Sequence, residues 1–108
     1  MAKTIKFNWK DEDYTLEYTR KTIAEMERGG FIPSDIDNKP MTTLPALFAG
    51  AFLAHHRYKK QSEINEIYDA LKDKDKLIGV LADMYNEPIM ALVGESEETK
   101  GNLEWKES

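Results

Sequence analysis

The chain contains no cysteine, which excludes disulfide bridges and thiolate metal ligands. It has no long hydrophobic run either. The longest apolar stretch, residues 44–54, ends at His55 and falls well short of the ~20 positions that a membrane-crossing helix needs. The first residues, Met1-Ala2-Lys3-Thr4-Ile5-Lys6, lack the apolar centre of a signal peptide, so a soluble, intracellular protein is expected. Basic charge is not in excess. Fifteen Lys+Arg against twenty Asp+Glu give a net −5, which offers no general attraction to nucleic acid phosphates. No HExxH, GxSxG or GxGxxG pattern occurs, and the pair Gly29-Gly30 is not followed by the GK[ST] of a phosphate loop. The carboxylates lie on polar faces, in turns or near the carboxy terminus, where nothing apolar would raise their pKa for acid catalysis. No catalytic residue, cofactor site or metal site is therefore assigned. His55 and His56 are adjacent, and on a helix they point about 100° apart, so they cannot chelate one ion as an i, i+4 pair does.

What remains is material for packing. At 108 residues this is one domain, and such a chain buries roughly 65% of the surface its unfolded form exposes. Its centre is the apolar stretch, expected to start a helix after Thr42 or Thr43, with Pro45 in the first turn, and to run over about 44–58. Read at helical spacing, Leu44, Leu47, Phe48, Ala51 and Phe52 form a bulky stripe, and Ala46, Ala49, Gly50 and Leu53 a mostly small one. The bulky stripe supplies a core. The small stripe, with Ala46, Ala49 and Gly50 as candidate contact residues, lets another helix approach closely, from this chain or another.

Around that helix the pattern predicts a mainly α, α+β fold of about four helices with an amino-terminal β-hairpin. Ile5, Phe7 and Trp9 alternate with Lys6 and Asn8, a polar turn spans 10–13, and Tyr14, Leu16 and Tyr18 resume the period of two. Thr19 caps a short helix that carries Ile23 and Met26 inward; Gly29-Gly30 stops it, with Phe31 folding back on Met26. Residues 32–40 read as a loop. Ser62 caps a third helix with the stripe Ile64, Ile67, Tyr68 and Leu71, and 72–76 is a charged connection. Leu77, Leu81, Met84 and Tyr85 mark a fourth helix, with a kink or restart expected at Pro88 and Asn86 capping the restarted piece.

Three further candidates for partner binding emerge. Arg57, Lys59 and Lys60 form a basic cluster at the expected end of the apolar helix, suited to the helix dipole and to an acidic partner segment. Met84 and Met90 have flexible side chains that adapt to varied apolar partners. From Gly94 on, the composition turns acidic, so 1–93 reads as the domain and 94–108 as a mobile tail bearing one anchor, Trp105.

Taken in order, several segments resemble a known family. These are Phe7-Asn8-Trp9 and Tyr14-Thr15-Leu16, Pro40-Met41-Thr42 leading into Leu47-Phe48-Ala49-Gly50-Ala51-Phe52, then Glu66-Ile67-Tyr68, Met84-Tyr85-Asn86-Glu87-Pro88, and Gly101-Asn102-Leu103-Glu104-Trp105. Their order and spacing resemble the small tail assembly chaperones of long-tailed phages and prophages of Gram-positive bacteria. The resemblance implies a protein of the host cytoplasm, absent from the mature virion. It would bind the tape measure protein, keep it soluble and recruit tail tube subunits, with self-association an open alternative and a frameshifted longer form known for many members. No catalytic residues come with this family. Two other readings stay open: a structural tail or head–tail connector protein, and a small nucleic-acid-binding phage regulator using Arg57, Lys59 and Lys60.

Overall fold

The computed structural model describes residues 4–93. The predicted class holds: four helices follow an amino-terminal antiparallel hairpin. Strands β1 (Ile5–Trp9) and β2 (Glu12–Leu16) pair with Ile5 opposite Leu16, Phe7 opposite Tyr14 and Trp9 opposite Glu12. The turn is shorter than the polar run suggested. Only Lys10 and Asp11 form it, with φ of 52° and 65°, the two-residue geometry that matches the twist of a hairpin. Glu12 and Asp13 already belong to β2, where Asp13 Oδ1 accepts a 2.9 Å bond from Asn8 Nδ2 across the ladder. Asp13 lies on the solvent face of β2 and Glu12 at the exposed start of the strand, and polar residues are as much at home there as in a turn.

Helix α1 (Arg20–Arg28) has both expected ends. The Thr22 amide donates to Thr19 Oγ1 at 3.1 Å and the Thr19 amide to Thr22 Oγ1 at 2.9 Å, a reciprocal cap. At the other end the Phe31 amide reaches Met26 O and the Gly30 amide reaches Glu27 O, with Gly30 at φ 96°.

Residues 32–40 are not all loop. A 3-10 turn covers Pro33–Ile36, and α2 (Pro40–Gly50) begins earlier than expected, with Pro40 in its first turn and Pro45 inside it. The helix also stops at Gly50 rather than continuing to Tyr58. Beyond it the amides of Ala51, Phe52 and Leu53 turn back to Phe48, Ala49 and Gly50, a tightening to i→i−3 bonds. Leu47 O, one of the carbonyls a helix cannot serve near its end, accepts from Tyr18 Oη at 2.5 Å instead. A residue twenty-nine positions away thus satisfies a carbonyl that the end of the helix leaves free.

Helix α3 (Gln61–Ala70) has Lys60 at its N-cap with no side-chain cap bond, so Ser62 lies within the first turn and does not cap it. Asp73, in the left-handed region at φ 55°, turns the chain into α4 (Lys74–Leu92), and the charged connection is correspondingly short. Helix α4 runs through Pro88 without restarting, so Asn86 caps nothing. Proline costs one backbone bond, but Ile89 beyond it packs on the core together with Leu81, Met84 and Tyr85 before it, and that burial carries the helix on.

One contiguous core joins these elements: Tyr14, Leu16 and Tyr18 from the hairpin side, Ile23 and Met26, Leu47 to Phe52 along and after α2, Ile64 and Ile67, and Leu81, Met84 and Tyr85. Phe48 and Phe52 lie at its middle, edge to face at 5.1 Å. No helix among the described residues is long and apolar enough to cross a membrane. The tail reading of 94–108, with Leu103 and Trp105, falls outside the described residues.

Candidate partner-binding surface

Helix α2 is apolar on every side, yet its own chain covers only part of it. Leu47, Phe48 and Gly50 are buried, while Met41, Pro45 and Ala46 are exposed. The helix therefore stands as a ridge between two open grooves.

On one flank, toward α1, a groove of about 530 Å³ is lined by Met26, Phe31, Ile32, Ala46, Ala49, Gly50 and Leu53. The small stripe read from the sequence is thus gathered on one wall. Its deepest member is already in use: a Cβ on Gly50 would overlap Sδ and Cε of Met26, so α1 exploits the missing side chain. Ala49 is half-buried and Ala46 exposed, which leaves these two as the accessible part of the stripe.

On the other flank, toward α3, a groove of about 670 Å³ is walled by Pro40, Met41, Leu44, Pro45, Phe48 and Tyr68, with Gln61, Asn65 and Asp69 at its rim. Met41 is 87% exposed, an unusual state for a large apolar side chain on a helix. Sequence reading missed this groove because it started the helix after Thr42 or Thr43 and left Met41 outside it. Pro40 was the available signal, since proline favours the first turn of a helix.

The two methionines singled out part company. Met84 is 2% exposed and belongs to the core, so it touches no partner; its place in the stripe with Leu81 and Tyr85 outweighs its flexibility. Met90 is 38% exposed at the far end of α4, near Leu92 and Val93 and away from both α2 grooves. Trp105 lies outside the described residues.

The basic cluster is corrected most. With α2 ending at Gly50, these residues follow a turn rather than a helix end, and the charges of Arg57 and Lys59 are spent within the chain. Arg57 grips Glu25 with two bonds of 2.9 and 3.0 Å, which holds the Glu25 carboxyl below its usual pKa. Lys59, its side chain only 15% exposed, lies 3.1 Å from both Glu12 and Glu63 and over the Tyr14 ring. Its hydrogen bonds with Tyr14 and these carboxylates raise its pKa, and it lowers that of Glu12. Next to it, His55 Nε2 is 2.7 Å from Glu17, and His56 accepts the Thr15 amide. The cluster fastens hairpin, α1 and α3 together, so Arg57 and Lys59 do not form an open patch for an acidic partner. Lys60 is exposed at the head of α3.

No curated protein and no solved structure matches the chain. Over residues 1–108 it matches the family described as "Domain of unknown function (DUF5055)", and it belongs to that family.

Proposed function

We propose that the protein is a tail assembly chaperone, acting in the host cytoplasm and leaving before the virion is complete, that holds the tape measure protein along the α2 ridge. The observation that carries this is the exposed apolar outer surface of α2, where Met41, Pro45 and Ala46 stand between two open grooves. An amphipathic or apolar helix laid in the α2–α3 groove buries Met41, Leu44 and Tyr68, the mode in which helices are recognised by hydrophobic grooves. The resemblance of the chain's segments to phage tail chaperones supplies the client, and tail tube protein is the second partner under this reading.

The experiment is co-expression with fragments of a tape measure protein, followed by affinity capture. Wild-type chain is expected to retain a fragment that otherwise precipitates. Met41→Glu, at a position too exposed to unfold the domain, is expected to lose it. Failure to retain any fragment overturns the reading, and finding the chain at stoichiometric levels in purified particles favours the structural tail or connector protein instead.

A further inference from the structure

The two edges of the hairpin are treated differently. On β2, the Thr15 amide points away from β1 and donates to His56 Nε2 at 3.1 Å, and the Glu17 amide donates to Ala51 O at 3.0 Å. The segment following α2 thereby closes the outer edge of β2. The same bond fixes the geometry of the other strand. Lys6 stands opposite Thr15, and because the Thr15 amide is turned outward, the two form a non-hydrogen-bonded pair of the antiparallel ladder. The backbone N–H and C=O of Lys6 therefore face away from β2, as do those of Asn8, opposite Asp13. Among the described residues no group bonds to them. An open strand edge of this kind is a template for another strand.

Side chains along β1 select the occupant. Ile5, Phe7 and Trp9 project to the core face but stay half-buried, whereas Tyr14 and Leu16 on the neighbouring strand are 1% and 0% exposed. The helical layer thus thins out toward β1 and leaves apolar surface uncovered beside the open edge.

We infer that β1 pairs with β1 of a second copy, antiparallel about a two-fold axis at Phe7, to make a four-stranded sheet from two hairpins. In this register Lys6 faces Asn8 of the other copy, Phe7 faces Phe7, and Ile5 faces Trp9, so every apolar side chain meets an apolar one. Both strands contribute outward backbone groups at Lys6 and Asn8, as the hydrogen-bonded positions require. Moving the axis to Lys6 sets two lysines directly opposite each other. Moving it to Asn8 sets Lys6 against Lys10 of the other copy. Of these three axes only the one at Phe7 avoids like charges, and the alternation of the strand forbids the registers in between. The two helical layers then flank the axis on the same face of the sheet, where the thin β1 side leaves room for Phe7 and Trp9 of both copies. This inference is independent of the proposed function and of the α2 grooves.

Sedimentation of the full chain over micromolar concentrations is expected to show a monomer–dimer equilibrium. Asn8→Lys keeps a partner for Asp13 within the hairpin but opposes Lys6 of the other copy twice, so the dimer should weaken about tenfold. Adding Lys6→Glu to that variant restores opposite charges across the axis and is expected to restore the dimer. Since the chain has no cysteine, Phe7→Cys gives a second readout: copies meeting at the axis link under mild oxidation, while Lys6→Cys, which faces Asn8, does not link to itself. A monomeric chain at hundreds of micromolar, a dimer indifferent to both charge variants, or linking at Lys6→Cys in preference to Phe7→Cys overturns the inference.

Discussion

The amide of Thr15 donates to Nε2 of His56, forty-one residues away, at 3.1 Å. The bond requires Nε2 without a proton. Burial against Tyr14 and Phe52, whose rings lie 4.9 and 6.2 Å from the imidazole, lowers the His56 pKa; Glu12 opposes that shift, while His55 and Lys59 add to it. A histidine depressed in the folded state contributes stability above its ordinary value of 6.5, and that stability is lost as pH falls through the lowered folded value. Urea denaturation is therefore expected to give a flat midpoint above about pH 7 and a falling one on the mildly acidic side. His56→Gln, which keeps an acceptor at every pH, should flatten that limb. A separate fall below the ordinary carboxylate value of 4.5 is expected from Glu12 and Glu25, whose pKa values are lowered by Lys59 and Arg57. An unchanged acidic-side slope in His56→Gln would refute the assignment.

Tyr18 and Tyr85 touch edge to face at 5.4 Å, yet their hydroxyls are in opposite situations. Tyr18 Oη serves Leu47 O at the end of α2, while Tyr85 Oη is buried without a partner among the described residues. Tyr18→Phe is expected to cost ~1–3 kcal/mol because it leaves a buried carbonyl unsatisfied. Tyr85→Phe removes an unmet polar group and should be neutral or stabilising. Equal losses in thermal melts of the two variants would contradict this.

Phe48 is 1% exposed and meets both Phe52 and Tyr68 at 5.1 Å. Phe48→Ala is expected to remove ~3–5 kcal/mol. Melting close to wild type would show that α2 is not the centre of the core.

Client capture on the α2 ridge is expected to survive from low to high salt, because Asp69 is the sole charged member of the α2–α3 groove lining. Release between low and moderate salt would point to an electrostatic mode. Ala46→Glu compares the two flanks: loss of capture here and not in Met41→Glu would move the client to the α1 side.

Local signals that depend on neighbours in sequence were legible. The cap by Thr19, the ending at Gly29-Gly30 and the alternation of Tyr14, Leu16 and Tyr18 follow from side-chain size, hydrogen-bonding reach and the glycine backbone, and all three stand in the fold, where Thr22 completes the cap. The small stripe on α2 was legible for the same reason, since helical spacing alone places Ala46, Ala49 and Gly50 on one side. Tertiary structure decided the rest. The end of α2 also draws on distant residues: the Tyr18 hydroxyl serves Leu47 O in its last turn and the Glu17 amide serves Ala51 O just beyond it. Met84 stood in the local stripe of Leu81 and Tyr85 and is core, but nothing local marks Met41 as surface, because its exposure depends on how little of the chain packs over that side of α2. The cations Arg57 and Lys59 looked available in sequence because their partners Glu25, Glu12 and Glu63 belong to three different elements. Charge pairing and burial act between elements, and their outcome is fixed only when the chain has folded those elements together.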